Sequence, residues 1–246
     1  MLKPTKKDIS IIIPSYNEVK NLKILLNKIN NILNKNINIE IIIVDNGSTD
    51  GTKEYLKDKK KFFPKIKFIT IKKNIGYGHG IKHGLKSASG KILSWTHADL
   101  QIDIEDVVNF FKKNQLKLKE QKMIIKGRRT KRSTFNIFFT KGMSSMVNFF
   151  FNVKINDINA QPKIFSNFFK NKILTSAPND FTIDLFLLLL AKKNNFKIKE
   201  LPLKFNNRMH DKAKGGGTFM GKIKLTFATF KYIFILKFNS RFESWK

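Results

Sequence analysis

The stretch "THADLQID" places His97, Asp99, Gln101 and Asp103 at every second position. In extended backbone alternate side chains share a face, so His97, Asp99 and Gln101 point the same way if strand pairing runs on past Thr96. Asp99 and Gln101 present hard oxygens, which suit Mg2+ or Mn2+ held jointly with substrate phosphates. His97 suits Mn2+ better than Mg2+, or else a direct phosphate contact. A solvated strand end running into a helix cap is the plainer alternative, and spacing alone leaves both open. Three earlier clusters carry comparable chemistry. Asp45 closes the apolar run "IEIIIVD", where a carboxylate can accept hydrogen bonds from a nucleobase or from ribose hydroxyls. The following "NGSTDGT" lacks the glycine-rich run of a phosphate loop, and Asp50 reads as a helix cap. In "PSYNE", Ser15 and Glu18 have capping-box spacing. A compatible second reading has Pro14 and Tyr16 form a wall while Glu18 meets a ribose or base. In "NIGYGHGIKHG", Gly76, Gly78, Gly80 and Gly84 open a helix, where glycine costs stability and so signals close approach of backbone or ligand. His79 and His83 share a helix face, yet no HExxH glutamate lies between them and no third ligand is evident, so a zinc pair is not expected.

These clusters need a scaffold, and the apolar patterning supplies one. Residues 8–14, 39–45, 66–71 and 91–96 read as buried strands. The first is followed by a helix carrying Leu22, Leu25, Leu26, Ile29 and Leu33, and each later strand is preceded by a helix-compatible segment. Such alternation predicts a mostly parallel sheet covered on both faces, with ligands beyond the carboxyl ends of its strands. All four polar clusters fall at those ends. The opposite loops, around 35–38 and 59–65, are lysine and asparagine runs. A helix is expected from 103 to about 119, with Asp103 as cap and Asp106 completing a capping box. "KMIIKGRR" reads as a fifth strand, 134–151 as a helix lined by phenylalanine and methionine, and "VKINDINAQPKIF" as a short strand and turn. A helix at about 181–193 and an edge strand "FKIKELPLKF", kept open by Pro202, follow. From Phe219 to Phe238 a phenylalanine stripe at helical spacing, flanked by lysines, reads as an amphipathic helix on an anionic membrane. A core-packing helix is slightly favoured over that reading, because Leu225, Ala228, Tyr232 and Ile235 widen the apolar arc.

Composition narrows the function classes. A chain of 246 residues that is 41% hydrophobic can bury a full core and is not disordered. The absence of cysteine excludes a disulfide scaffold, thiolate metal sites and cysteine catalysis, and points to a reducing cytosol. No apolar segment precedes the first strand as in a secretory signal, and no run of about 18 apolar residues predicts a membrane span. The net charge of +30 would attract nucleic acid, anionic lipid or phosphorylated ligands. An AT-rich coding bias toward Lys, Asn, Ile and Phe accounts for that charge equally well. Nucleic acid is not the expected partner, since lysine far outnumbers arginine, the basic residues are spread along the chain, and no reading motif is present.

"IIIPSYNE", "IIIVDNGSTDGT", "NIGYGHGIKHGL" and "GKILSWTHADLQ" together resemble the family 2 glycosyltransferases of the GT-A fold, in particular the dolichol-phosphate mannosyltransferase-like branch. The ordered set covers roughly residues 8–103 and is specific as a combination. The resemblance implies an α/β GT-A nucleotide-diphospho-sugar transferase fold with a mostly parallel central sheet and helices on both faces. It implies a catalytic domain over 1–215, with a nucleotide-binding half at about 8–103 and an acceptor half at about 104–215. The C-terminal helix and tail, 216–246, would follow. It further implies an inverting, metal-dependent transferase that takes a nucleotide-diphosphate sugar to a polyprenyl phosphate or other lipid-linked or glycan acceptor. Such an enzyme would work in the cytoplasm or on the cytoplasmic face of an anionic membrane.

By the same resemblance Pro14, Tyr16, Glu18 and Asp45 hold the nucleoside, with Gly76 in the adjoining loop. Asp99 and Gln101 match the second Asp and the Gln of the family's Asp-x-Asp-Leu-Gln metal motif, and His97 stands where the first Asp is usual. Arg128 or Arg129 of "KGRR" would meet phosphate. Asp157 and Gln161 would line the sugar or acceptor side. Arg208, His210 and Lys214 fall in the late basic loop that covers the pyrophosphate. The metal at Asp99, with Arg208 and Lys214, would stabilise charge on the leaving diphosphate. A hydroxyl acceptor would need a carboxylate base, for which Asp184 or Asp180 is the candidate. Either is alternatively a cap or first-turn acid. A phosphate acceptor would need no base, and the lack of a Glu-Asp pair there favours it. Two rival readings remain. A Rossmann oxidoreductase would require GxGxxG where this chain has "PSYNE". A catalytically silent glycan- or nucleic-acid-binding module is suggested by His97.

Overall fold

The computed structural model describes residues 7–35, 38–130, 134–206, 208–210 and 219–238. Its first half alternates strand and helix: β1 (Ile9–Ser15), α1 (Val19–Leu33), β2 (Ile39–Asn46), α2 (Thr52–Lys59), β3 (Ile66–Ile71), α3 (Tyr77–Ser87) and β4 (Ile92–Trp95). These four strands are parallel, with β1 between β2 and β4. Every residue of β1, β2 and β4 is buried, which is why each reads as an unbroken apolar run. Successive residues feed opposite layers. Ile12, Ile42, Val44 and Leu93 pack with α3, while Ile9, Ile11, Ile13, Ile41 and Ile43 pack with α1 and with Val107, Val108 and Phe111.

The second half comprises α4 (Ile104–Glu120), β5 (Met123–Thr130), α5 (Thr134–Phe151), β6 (Lys163–Ser166), α6 (Lys170–Ser176), α7 (Ile183–Lys193), β7 (Lys197–Lys204) and α8 (Phe219–Phe238). It extends the same sheet to seven strands in the order β3-β2-β1-β4-β6-β5-β7. β6 is antiparallel to both β4 and β5, and its register sets Lys163 opposite Trp95 and Lys126. An antiparallel strand inside the sheet departs from the doubly wound dinucleotide-binding order. Among the described residues β7 is an edge strand paired with β5 alone, and Pro202 lies there as its missing N–H requires. α8 packs along α5 and sends Ile233 and Leu236 into the core layer that holds Trp95 and Phe165.

One local expectation needs correction. Ser15 does not cap α1. It is the last residue of β1 and its hydroxyl donates to the Val44 carbonyl at 3.1 Å. The first N–H groups around α1 are met from the β2 loop instead: Glu18 N–H donates to Thr52 Oγ1 and Val19 N–H to Asp50 Oδ2, both at 3.3 Å. The short α6 is also new, since seven residues are too few to show a period. Asp103 does cap α4, accepting from Glu105 N–H at 3.0 Å.

Candidate functional site

The carboxyl ends of β1, β2 and β4 lie side by side, and the loops leaving them are cross-linked. Asn17, in left-handed backbone at φ 54°, donates its N–H to Ser48 Oγ at 2.9 Å and accepts from Thr49 N–H at 2.7 Å. That tie fixes the "PSYNE" loop on the "NGST" turn. Pro14 is buried inside β1 opposite Val44, and Tyr16 is half-buried at its mouth. Asp45 is fully buried; its Oδ1 accepts from Ser48 N–H at 3.0 Å, while Oδ2 meets no donor among the described residues. A buried carboxylate oxygen left unpaired costs about 1–3 kcal/mol, so a site that presents one is built for an incoming donor.

Beyond β4 the chain does not continue as a strand. Leu100 adopts φ 60°, an uncommon conformation for a side chain of this kind, and Asp99 Oδ1 accepts from Gln101 N–H at 3.1 Å. His97, Asp99 and Gln101 are therefore grouped by a turn, and the expectation of extended pairing past Thr96 fails. The turn presents Asp99, only 5% exposed, with Oδ2 turned to Arg208 NH2 at 3.1 Å. The same NH2 donates to Glu18 Oε1 at 3.1 Å, and Asn21 donates to the other oxygen of Glu18. One guanidinium thus joins the loop of β1 to the turn after β4. Reciprocal bonds between Gln101 and Asn206, 2.9 Å through the backbone and 3.2 Å from Gln101 Nε2, hold the segment carrying Arg208 in place.

His97 is half-buried against Tyr77, with ring centroids 5.4 Å apart, and Tyr77 stacks on Phe181 at 4.8 Å. Burial lowers the imidazole pKa, with Asp99 and Asp184 opposing, which favours the uncharged ring. Gly76 and Gly78 show what the glycine run accommodates. A Cβ at Gly76 would stand 2.3 Å from the Asn179 carbonyl oxygen, and one at Gly78 2.5 Å from that of Pro178. His79 N–H donates to Asn179 O at 2.9 Å, closing the contact. The close approach is to protein backbone.

In the second half of the chain Asp184 is 1% exposed and surrounded by donors. Trp95 Nε1 lies at 2.9 Å, Gln161 Nε2 at 2.9 and 3.1 Å, and Lys163 Nζ at 3.3 Å. Lys163 is fully buried; burial pushes its pKa down to about 8 against the pull of Asp184. Asp180 accepts from Thr182 N–H at 2.8 Å just before α7. Asp157 forms a two-pronged pair with Arg129, and Arg128 turns to Glu200 at 3.7 Å. His210 is half-buried beyond Arg208, and Lys214 lies outside the described residues.

Of the residues singled out from sequence, Glu18, Asp99, Gln101 and Arg208 are directly linked, Asp45 lies at the adjoining strand end, and Asp184 with Gln161 forms a second buried group. Sequence reasoning missed Lys163, Trp95, Tyr77 and Phe181. Lys163 left one signal, a lysine at the head of the apolar "KIF" strand. As a metal site the arrangement is open. Among the described residues there is no group of three or more His, Cys, Asp or Glu able to hold an ion. Asp99 is the carboxylate that would hold a hard divalent cation here, with Gln101 tied to it by the turn and the remaining ligands coming from phosphate and water.

The sequence matches the family described as glycosyl transferase family 2 over residues 10–173. Among curated relatives, the dolichyl-phosphate beta-glucosyltransferase of Trichomonas vaginalis is 28% identical over 227 residues, 87% of this chain and 70% of that protein. The dolichol-phosphate mannosyltransferase of Pyrococcus furiosus is 28% identical over 84% of this chain but only 58% of its own length. Among solved structures, glucosyl-3-phosphoglycerate synthase from Mycobacterium tuberculosis, in complex with Mn2+, UDP and glucosyl-3-phosphoglycerate, superposes with a TM-score of 0.67 at 16% identity. The match covers 92% of this chain and 80% of that one. The same enzyme has been seen with UDP-glucose and glycerol 3-phosphate. This likeness establishes the GT-A fold.

Proposed function

The chain belongs to glycosyl transferase family 2, and from that premise we propose that it moves a sugar, with inversion, from a nucleotide-diphosphate donor to a phosphate oxygen of a polyprenyl-phosphate acceptor at the cytoplasmic face of a membrane. The observation that carries the donor side is the fully buried Oδ2 of Asp45 at the sheet edge, which meets no donor among the described residues and can accept the N–H or O–H of a nucleoside. Pro14, Tyr16 and Glu18 bound the same mouth. Mn2+ or Mg2+, held by Asp99 with Gln101 and His97 beside it, would supply positive charge against the diphosphate.

The acceptor oxygen attacks the anomeric carbon from the face opposite the diphosphate. A new carbon–oxygen bond forms as the bond to the diphosphate breaks, and the leaving group departs with the electron pair. Arg208 supports that leaving charge from the late loop. Asp184 does not serve as a base in this reading. Trp95, Gln161 and Lys163 all turn donors to its oxygens, so the carboxylate is engaged in positioning Gln161. An already anionic phosphate needs no proton removed, which agrees with relatives named for dolichyl phosphate. Calorimetry with UDP- and GDP-sugars, with and without Mn2+, tests the donor side. Product analysis with polyprenyl phosphate, glycerol 3-phosphate and a neutral sugar tests the acceptor. Silence toward every donor with metal present would sink the transferase reading, and transfer to the neutral sugar alone would sink the phosphate acceptor.

A further inference from the structure

α5 and α8 lie against each other and share one face that no other described element covers. Along α8 the exposed positions Met220, Lys224, Phe227, Lys231, Phe234 and Phe238 follow one another at steps of three or four residues, so they form a single stripe. On α5, Phe138, Lys141, Ser145 and Phe149 do the same. Exposure of the rings is high: 82% for Phe149, 76% for Phe238, 74% for Phe138 and 69% for Phe227. The stripes meet through aromatic contacts. Phe149 touches Phe150 at 5.5 Å between centroids, Phe150 touches Phe234 at 5.7 Å, and Phe234 stacks on Phe238 at 5.8 Å. A contiguous apolar face of this kind marks an interaction surface.

Its chemistry selects the occupant. Neither helix contains an aspartate or glutamate, and together they carry five lysines and eleven phenylalanines. Lysine is depleted at the centre of protein–protein interfaces, whereas here Lys224 and Lys231 alternate with the exposed rings. Phenylalanines that enter the acyl boundary beside lysines that reach anionic headgroups are the pattern of a helix lying in a membrane interface. No described helix is long and apolar enough to cross a bilayer, so the face would rest on one. We propose that the joint α5–α8 face is a docking surface for an anionic lipid bilayer. It adjoins the acceptor side. Tyr232 of α8 lies close enough to Asp180 for that carboxylate to help raise the phenol pKa, and Phe181, next in the chain, stacks on Tyr77 beside His97. Only this link to a lipid-borne acceptor rests on the transferase reading.

Vesicle flotation without donor or metal tests the surface by itself. The protein floats with phosphatidylcholine vesicles containing phosphatidylglycerol and partitions at least roughly tenfold less onto pure phosphatidylcholine. Phe149→Ser combined with Phe227→Ser lowers partitioning onto the anionic vesicles by roughly tenfold or more. Lys224→Gln with Lys231→Gln causes a comparable loss on anionic vesicles and none on neutral ones. Phe62→Ser, an exposed ring elsewhere on the molecule, leaves flotation unchanged. Thermal melts confirm that each variant is folded, and the lysine pair keeps the test valid should the phenylalanine pair not fold. Unchanged flotation of both double variants overturns the proposal. So does a dimer in solution that ignores vesicles and splits when Phe149 and Phe227 are replaced, since the face would then belong to a second copy.

Discussion

Arg208 NH2 donates to Glu18 and to Asp99 at 3.1 Å each, so a divalent cation reaching Asp99 must compete with it for the same oxygen. Both carboxylates are nearly buried, and charge-assisted bonds in such places are worth about 1.5–3 kcal/mol. Removing the guanidinium therefore has opposite effects on metal and on chemistry. Arg208→Ala is expected to tighten Mn2+ binding about tenfold, read by titration without donor. Sugar transfer at saturating metal should fall on the order of a hundredfold, because the leaving diphosphate loses a fixed cation. Equal loss of both would mean that Arg208 only holds the loop. The two carboxylates were legible in the sequence because each follows an apolar run at a strand end. Their sharing of one guanidinium was not, since 109 residues separate Arg208 from Asp99 and only the fold closes that distance.

Two elements carry residues whose cost is visible in the packing. β6, inserted antiparallel between β4 and β5, brings Lys163 into the interior beside Asp184. Its folded pKa of about 8 lies below the ordinary 10.5, so between those values the unfolded chain binds more protons and stability rises with pH. Below about 8 the lysine is protonated in both states and the penalty is constant. At about 1.36 kcal/mol per unit the gain across the window is about 3 kcal/mol. Urea denaturation through this range should show the rise in the wild type, and Lys163→Met should remove it while costing about 3–5 kcal/mol at neutral pH, because Asp184 loses its buried cationic partner. In α3 the glycine run was read as close approach of backbone or ligand, and packing against Pro178 and Asn179 now explains Gly76 and Gly78. Gly78→Ala should destabilise by about 1–3 kcal/mol. Gly142→Ala in α5, where an added Cβ meets nothing within 4 Å, should stabilise by up to about 1 kcal/mol in the same melts. The order of these effects is the check: a tolerated Gly78→Ala would show that the segment at 178–180 yields.

For the whole molecule, the strand–helix alternation was legible because β1, β2 and β4 are buried on both faces and leave continuous apolar runs. The antiparallel course of β6 was not, because four residues carry no mark of direction. The charge is legible as a number, and its consequence follows from the surface that bears it. With 48 basic and 18 acidic residues, pairing every acid still leaves a surplus of +30. Spread over 13254 Å2 of surface, surplus charges stand on the order of 20 Å apart, between the Debye lengths of about 30 Å at 0.01 M and about 8 Å at 0.15 M salt. Neighbours repel across that spacing at low salt and are screened at the higher value. The folded state, which crowds the charges more than the unfolded chain, should therefore gain on the order of 1 kcal/mol over this range, seen as a melting temperature higher by about 2–4 °C. Beyond 0.15 M the curve should flatten for NaCl, since the screening length is already shorter than the spacing. A melting temperature that falls as salt is added would instead mean that attractive pairs such as Lys28–Asp103 and Lys67–Glu40 outweigh the surplus, and that the basic surface is no burden on the fold.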